Sequence, residues 1–227
     1  MDPFIHYGLA ASMQAIEDSG FAIEEGNAHR IGAIIGSGIG GLPGIEKGYE
    51  SFYSGGSKKI SPFFVPRNII NMVAGHISIR YGLTGVNYAI VSACSTGAHC
   101  IGQAARTIER GEQDIIIAGG SEFSTSPMGI GGFAAAKALS TRNESPTEAS
   151  RPWDADRDGF VLSEGAGILI LEQLDHAKSR GANIYAELSG FGINSDAYHM
   201  TAPSPSGVGA AACMRLAIED EIGRAHV

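Results

Sequence analysis

The stretch VNYAIVSACSTGAHCIGQAARTIERG, residues 86–111, decides how the rest of the chain is read. An apolar run to Ala93 predicts a strand, Cys94 marks a turn, and Ile101, Ala104, Ala105 and Ile108 recur at the spacing of one helix face. Cys94 is therefore expected at a strand-to-helix junction. A helix N-terminus leaves backbone N–H groups unpaired and carries partial positive charge, which favours thiolate over thiol. Ser92, Ala93, Ser95, Thr96 and Gly97 are small enough to admit a substrate carbonyl and let backbone amides face an oxyanion. A cysteine in an apolar stretch is equally read as a small buried hydrophobe. Catalysis and simple packing both stand at this point.

Composition narrows the classes outside this stretch. With 227 residues and 44% hydrophobic content, the chain suits one large globular domain or two small ones, and no apolar run approaches a membrane span. A soluble, cytoplasmic protein is expected, with no leader read before Met1. Cys94, Cys100 and Cys213 are too few and too scattered for a disulfide framework or a zinc site. The net charge of −8 argues against nucleic acid or an anionic membrane as partner.

In chain order, Asp2 and Pro3 open a helix with a stripe of Ile5, Leu9, Met13 and Ile16, and Gly20 closes it. RIGAIIG, residues 30–36, reads as a buried strand. Gly36, Gly38 and Gly41 then match the spacing of a dinucleotide loop, but Pro43 and Gly44 interrupt the helix such a loop requires, and no second strand with an acidic end follows. A glycine-rich wall beside a substrate pocket is the expected reading. Lys58 and Lys59 follow a Gly-Gly turn and stand at a rim. A second helix is expected from Pro66, with Ile69, Val73, Ile77 and Tyr81 at four-residue intervals and Gly82 at its end; His76 on it reads as a packed core residue. DIIIAGGSE from Asp114 predicts another apolar strand. The alternating charges Arg151, Asp154, Asp156, Arg157, Asp158 and Glu164 suggest an ordered loop leading into a strand at 167–173. LDHAKSRG then reads as a short helix and NIYAELSGFG as a last strand. Buried strands alternating with helices imply a largely parallel sheet covered by helices.

Several motifs together resemble the β-ketoacyl-acyl carrier protein synthases of the elongating type II class, within the thiolase-like superfamily. They are ACSTG around Cys94, GSGIGG at 36–41, KISPFFVP at 59–66, RPWD with RDGF, EGAG, and SDAYHMTAP at 195–203. The likeness runs from Met1 to about Asp220; Ser163, where many relatives have glycine before the EGAG run, is a departure confined to a loop. The resemblance implies an α/β fold, a three-layer α/β/α thiolase-like half that full-length relatives extend to five layers, αβαβα. It implies an N-terminal ketosynthase domain over 1–220, incomplete at both ends. The last seven residues, 221–227, abandon the family pattern and read as a non-native tail of a truncated gene.

The resemblance also implies a two-step reaction at Cys94. The thiol accepts an acyl chain from acyl carrier protein, and malonyl-carrier loses carbon dioxide and attacks the resulting thioester. Ile39 and Phe133 correspond to acyl-pocket positions, and Lys58, Lys59 and Lys137 to basic positions that meet the acidic carrier. Residues 86–91 correspond to a homodimer interface. No cofactor and no metal are implied. The family's two histidines, one in an Asn-Ala-His-Gly-Thr stretch and one in a Gly-His ending, have no counterpart here: Asn27-Ala28-His29 is followed by Arg30, Gly75-His76 lies within a helical pattern, and His199 belongs to the pocket edge. Four readings follow: a condensing-enzyme fragment without condensation activity, a polyketide-type ketosynthase, a carrier-binding or dimerising module without turnover, and a cysteine hydrolase. The last needs a histidine near Cys94, and His99 is expected to point away from the helix tip.

Overall fold

Asp2 accepts a hydrogen bond from the Phe4 N–H, Pro3 fills the first turn and Gly20 adopts a left-handed φ of 63°. Helix α1 (Pro3–Ser19) therefore starts and stops on the expected signals. The computed structural model describes residues 1–224 and divides into two compact units, Met1–Ala182 and a second beginning at Asn183. That boundary falls inside the stretch 1–220 expected as one domain.

The first unit is built on a four-stranded sheet of order β2-β1-β3-β4, with β1 (Ile31–Gly36), β2 (Asn87–Tyr88), β3 (Ile115–Glu122) and β4 (Gly165–Glu172). β1 pairs parallel with β2 and β3, while β4 runs antiparallel to β3 from Ile115–Glu172 to Glu122–Gly165. Side chains alternate between faces. Ile31, Ala33, Ile35, Ile115 and Ile117 pack under α1 and α4 (Met72–Tyr81), whose Phe4, Ile5, Val73 and Ile77 are fully buried. Ile34, Ile116 and Ala118 pack under α5 (Thr96–Glu109) against Cys100 and Ala104. Helix, sheet and helix make the expected three layers.

Polar clamps hold the ends of this sheet. The Arg30 guanidinium donates to both oxygens of Asp114, at 3.0 and 2.6 Å, and to the carbonyls of Gly111 and Glu112, so the start of β1 is fixed against the start of β3. The acidic loop before β4 is ordered as expected. Arg151 pairs with Asp154 at 2.9 Å, Asp158 accepts from the Ser140 hydroxyl and the Thr141 N–H, and Glu164 accepts from the Thr125 hydroxyl.

Four expectations are corrected. The helix from Pro66 is two helices, α3 (Phe64–Asn68) and α4, because the Asn68 carbonyl accepts the Gly41 N–H at 3.1 Å and Ile70 packs on Gly40. Pro43 does not interrupt a helix. It sits in the first turn of α2 (Leu42–Gly55), where a residue without an N–H is at no disadvantage. The strand expected up to Ala93 ends at Tyr88, the last residue paired with β1, and the Ile90 carbonyl beyond it packs into the space a Cβ on Gly36 would fill. No strand forms at 183–192 among the described residues. There Phe191 donates through its N–H to Asp220, and Gly190 and Gly192 lie against the backbone of α8 (Val208–Arg224). A strand is a property of a pair, and the described residues offer this segment no partner strand. Of the tail expected at 221–227, residues up to 224 continue α8 and 225–227 lie outside the described residues.

Candidate active site

After β2 the chain enters a 3-10 turn, Ala93–Ser95, and passes directly into α5. Ala93 takes a φ of 52°, a left-handed value that costs a residue with a Cβ about 1–2 kcal/mol. The turn is held by the Ser92 N–H donating to the Thr96 hydroxyl at 2.9 Å and the Ser95 N–H donating to the Ser92 carbonyl at 3.1 Å. Thr96 is buried, so this brace is anchored in the core. Cys94, between these fixed points, is exposed. Its own N–H makes no hydrogen bond among the described residues, and Ser95 adds no side-chain cap to α5. An accessible sulfur can attack a carbonyl, and the residue's own uncommitted N–H at the helix start can stabilise the oxyanion that forms.

Glycines bring the surrounding backbones close. A Cβ on Gly36 would collide with the Ile90 carbonyl and the Thr96 methyl group, and Gly97 of α5 meets Gly120 of β3, where a Cβ would stand 3.2 Å from the Gly97 Cα. Gly38 lies against the Ala93 carbonyl. The glycine-rich loop thus lies against the cysteine turn and brings Ile39, 41% exposed, beside it. The strand-loop-helix order does satisfy part of the dinucleotide pattern. However, the loop already holds a protein anion: the Glu122 carboxylate accepts from the Ser37 hydroxyl and the Ile39 N–H.

Phe133 lies half-buried on α6 (Pro127–Ala135), edge-on to Phe160 with ring centroids 5.2 Å apart. The Glu46 carboxylate on α2 accepts from the Ser126 hydroxyl and the Met128 N–H, at 2.7 and 2.8 Å. The helix bearing Phe133 is thereby fastened to α2, into which the loop bearing Ile39 runs directly. Lys58 and Lys59 are exposed on a 3-10 turn, and Lys137 is exposed just past α6. Lys59 also lines a cleft of about 170 Å³ with Lys47 and Arg67, two cations the sequence reading did not single out. Glu46, Glu122 and Ser37 were missed as well; for Glu122 the available signal was a lone acid closing an otherwise apolar strand.

Two other side chains near the turn are accounted for. The His99 ring does not point away from the helix tip; it reaches back, placing Nδ1 2.6 Å from the Ser92 hydroxyl. Cys100 is fully buried, and burial pushes its thiol above the ordinary cysteine range, outweighing the lowering by backbone hydrogen bonds at Ile90 and Gly36. It belongs to the core.

The chain belongs to the beta-ketoacyl synthase family, whose N-terminal domain model matches residues 1–177 and whose C-terminal domain model matches residues 185–223. It is 59% identical over 220 residues to 3-oxoacyl-[acyl-carrier-protein] synthase 2 of Vibrio cholerae serotype O1, covering 97% of this chain and 53% of that protein. The protein of the same name from Coxiella burnetii is 55% identical, with 96% and 53% covered. The chain spans about half the length of these curated relatives. Among solved structures, a beta-ketoacyl synthase from Burkholderia phymatum STM815 superposes with a TM-score of 0.87 at 37% identity, over 97% of this chain and 54% of that one. A ketosynthase solved with its type II polyketide acyl-carrier protein gives a TM-score of 0.91 at 34% identity, over 96% and 55%.

Proposed function

We propose that this chain is the acyl-accepting part of a β-ketoacyl-[acyl carrier protein] synthase of fatty-acid elongation. The observation that carries the reading is Cys94, exposed at the start of α5 with its own N–H uncommitted. Its sulfur attacks the thioester carbonyl of an acyl-carrier, the carrier's thiolate leaves, and the acyl group remains on Cys94 as a new thioester. The Cys94 N–H donates to the oxyanion during the attack. Ile39 and Phe133 line the acyl chain's path. In the complete reaction a malonyl-carrier then loses carbon dioxide and its carbanion displaces Cys94 from the acyl group. This sequence holds neither histidine that the family uses for that step, so acylation and condensation separate here.

Lys58, Lys59 and Lys137 are the proposed contacts for the acidic carrier protein. Lys47 and Arg67 beside Lys59 extend the same positive surface. A homodimer of the full-length protein would pair through residues 86–91, where β2 bonds to β1 on one side and Val91 is exposed. Action in the cytoplasm is part of the same proposal; no helix among the described residues is long and apolar enough to cross a membrane. Fatty-acid rather than polyketide chemistry is favoured by 59% identity to the Vibrio protein against 34% to the polyketide ketosynthase. A carrier-binding module without turnover is the second reading, supported by the cationic cleft of Lys47, Lys59 and Arg67, which needs no reaction at Cys94.

The test supplies acyl-carrier and malonyl-carrier to the purified chain and follows the protein and products by mass spectrometry. The expected result is an acyl adduct on Cys94 without β-ketoacyl product. Product at about 1 per second or faster would overturn the separation of the two steps. No adduct, in protein whose Cys94 still reacts with iodoacetamide, would leave the carrier-binding reading.

A further inference from the structure

Glu122 closes β3 and takes no part in the chemistry above. Its two oxygens serve different groups: Oε1 accepts from the Ser37 hydroxyl at 2.9 Å, and Oε2 from the Ile39 N–H at 3.0 Å. Ser37, 2% exposed, accepts in turn from the Gly40 N–H at 3.0 Å. A loop of sequence GSGIGG has almost no side chains with which to fix its own conformation, so these bonds supply the order that its composition lacks. Gly38, between the two anchored residues, is confined from both sides. A Cβ there would stand 2.7 Å from Glu122 Oε2 and 3.3 Å from the Ala93 carbonyl oxygen. The carboxylate therefore presses the loop against the residue that immediately precedes Cys94.

We infer that Glu122 is a positioning residue: by holding the Ile39 backbone against the cysteine turn, it sets how the Cys94 thiol discriminates between short and long acyl chains. The inference rests on reading Ile39 as a wall of the acyl path. Without the carboxylate, the Ser37 hydroxyl and the Ile39 N–H both lose their acceptor, and the apolar wall is free to move while Cys94 keeps its own brace through Thr96.

The test uses N-methyl and N-octyl iodoacetamide. Each alkylates a thiolate directly, forming a thioether as iodide leaves and the thiol proton passes to solvent, so neither carrier nor acyl transfer is needed. The reading is the octyl-to-methyl ratio of rates at Cys94. The intact chain prefers the octyl reagent, and Glu122→Ala lowers the ratio by a factor of about ten, the worth of a methylene in an apolar pocket, with the methyl rate little changed. Ile39→Ala lowers it similarly, and the double variant goes no further, as two changes acting through one wall require. Glu122→Gln, which keeps an oxygen for the Ile39 N–H, recovers most of the preference. If Glu122→Ala does not fold, Ser37→Ala carries the same comparison.

An unchanged ratio, a parallel fall with both reagents, or additive losses in the double variant would overturn the proposal. So would an intact chain with no octyl preference. A chain that shows the preference yet takes no acyl group from a thioester supports this role for Glu122 and refutes acyl transfer, so the two failures are told apart.

Discussion

Arg180 grips Glu172 with two nitrogens, Nε to Oε1 at 2.7 Å and Nη2 to Oε2 at 2.6 Å, and its third, Nη1, donates to the Ser19 carbonyl at 3.0 Å. One side chain thus ties α7 (Leu174–Ser179) and the end of β4 to the C-terminus of α1. His176 completes the cluster with Nδ1 2.5 Å from Glu172 Oε1.

The acid limb of stability follows from this cluster. Burial alone would raise the Glu172 carboxyl, but the bonds from Arg180 and His176 prevail and hold it below the ordinary glutamate range. Folding therefore favours the ionised form. Its contribution is complete above the ordinary glutamate pKa of about 4.3 and is lost as pH falls through the lower folded value. Urea unfolding at pH 7 should show Arg180→Ala less stable by about 2 kcal/mol, because Glu172 stays buried with one donor group gone. Glu172→Gln should flatten the part of the pH curve below about 4.3; an unaltered acid limb would assign that loss to other carboxylates.

Asp2 joins two helices. One oxygen caps α1 through Phe4, and the other accepts the Gly44 N–H of α2 at 2.8 Å. Asp2→Ala should cost about 1.5 kcal/mol by thermal or urea unfolding, the range for a lost N-cap. Asp2→Asn keeps an acceptor and should lose less than half of that.

Cysteine reactivity should be ordered. Cys94 is exposed, Cys100 is buried with its thiol raised, and the half-buried Cys213 donates through Sγ to the Gly192 carbonyl at 3.3 Å. Limited iodoacetamide followed by peptide mass spectrometry should label Cys94 well before the other two. Equal labelling would remove the case for a special cysteine turn.

Ala93 holds its left-handed φ against the preference of any residue with a Cβ. Ala93→Gly removes that strain while adding chain entropy to the unfolded state, so unfolding free energy should change by less than about 1 kcal/mol. Cys94 acylation should nevertheless slow, because the loosened turn samples other geometries. A variant at least as fast as the parent would show that the strain does not serve the thiol.

What the sequence disclosed, and what it hid, divides along the range of the interactions. α1 was legible because Asp2, Pro3 and Gly20 act on their own neighbours, and β1 and β3 because Ile31, Ile34, Ile115 and Ile116 are apolar on both faces. Cys94 was legible as the start of a helix for the same local reason, while the strand before it stops at Tyr88, short of the turn. The break between α3 and α4 was not, since Asn68 gives its carbonyl to Gly41, a residue 27 positions earlier that no periodicity can register. Glu122 was hidden likewise: its partners Ser37 and Ile39 lie more than 80 residues away. The segment 183–192 has strand composition, but composition cannot reveal whether a neighbouring strand is present.

The contact between Gly97 and Gly120 acts as a depth stop for the reactive sulfur. Where two side chains meet, the spacing between a helix and a sheet follows whichever residues occupy the seam and shifts when either is exchanged. Here backbone rests on backbone, and covalent geometry alone fixes how deep α5 sits three residues after Cys94. The core beneath, including Ile116 and Ala104, can therefore be repacked with a change in stability and little displacement of the sulfur. A single methyl group added at Gly120 would do the reverse: it would stand 3.2 Å from the Gly97 Cα and push the start of α5, with Cys94, outward by about a few tenths of an ångström while the core stays packed, whereas one added at Gly97 would meet Gly120 at an ordinary 3.6 Å.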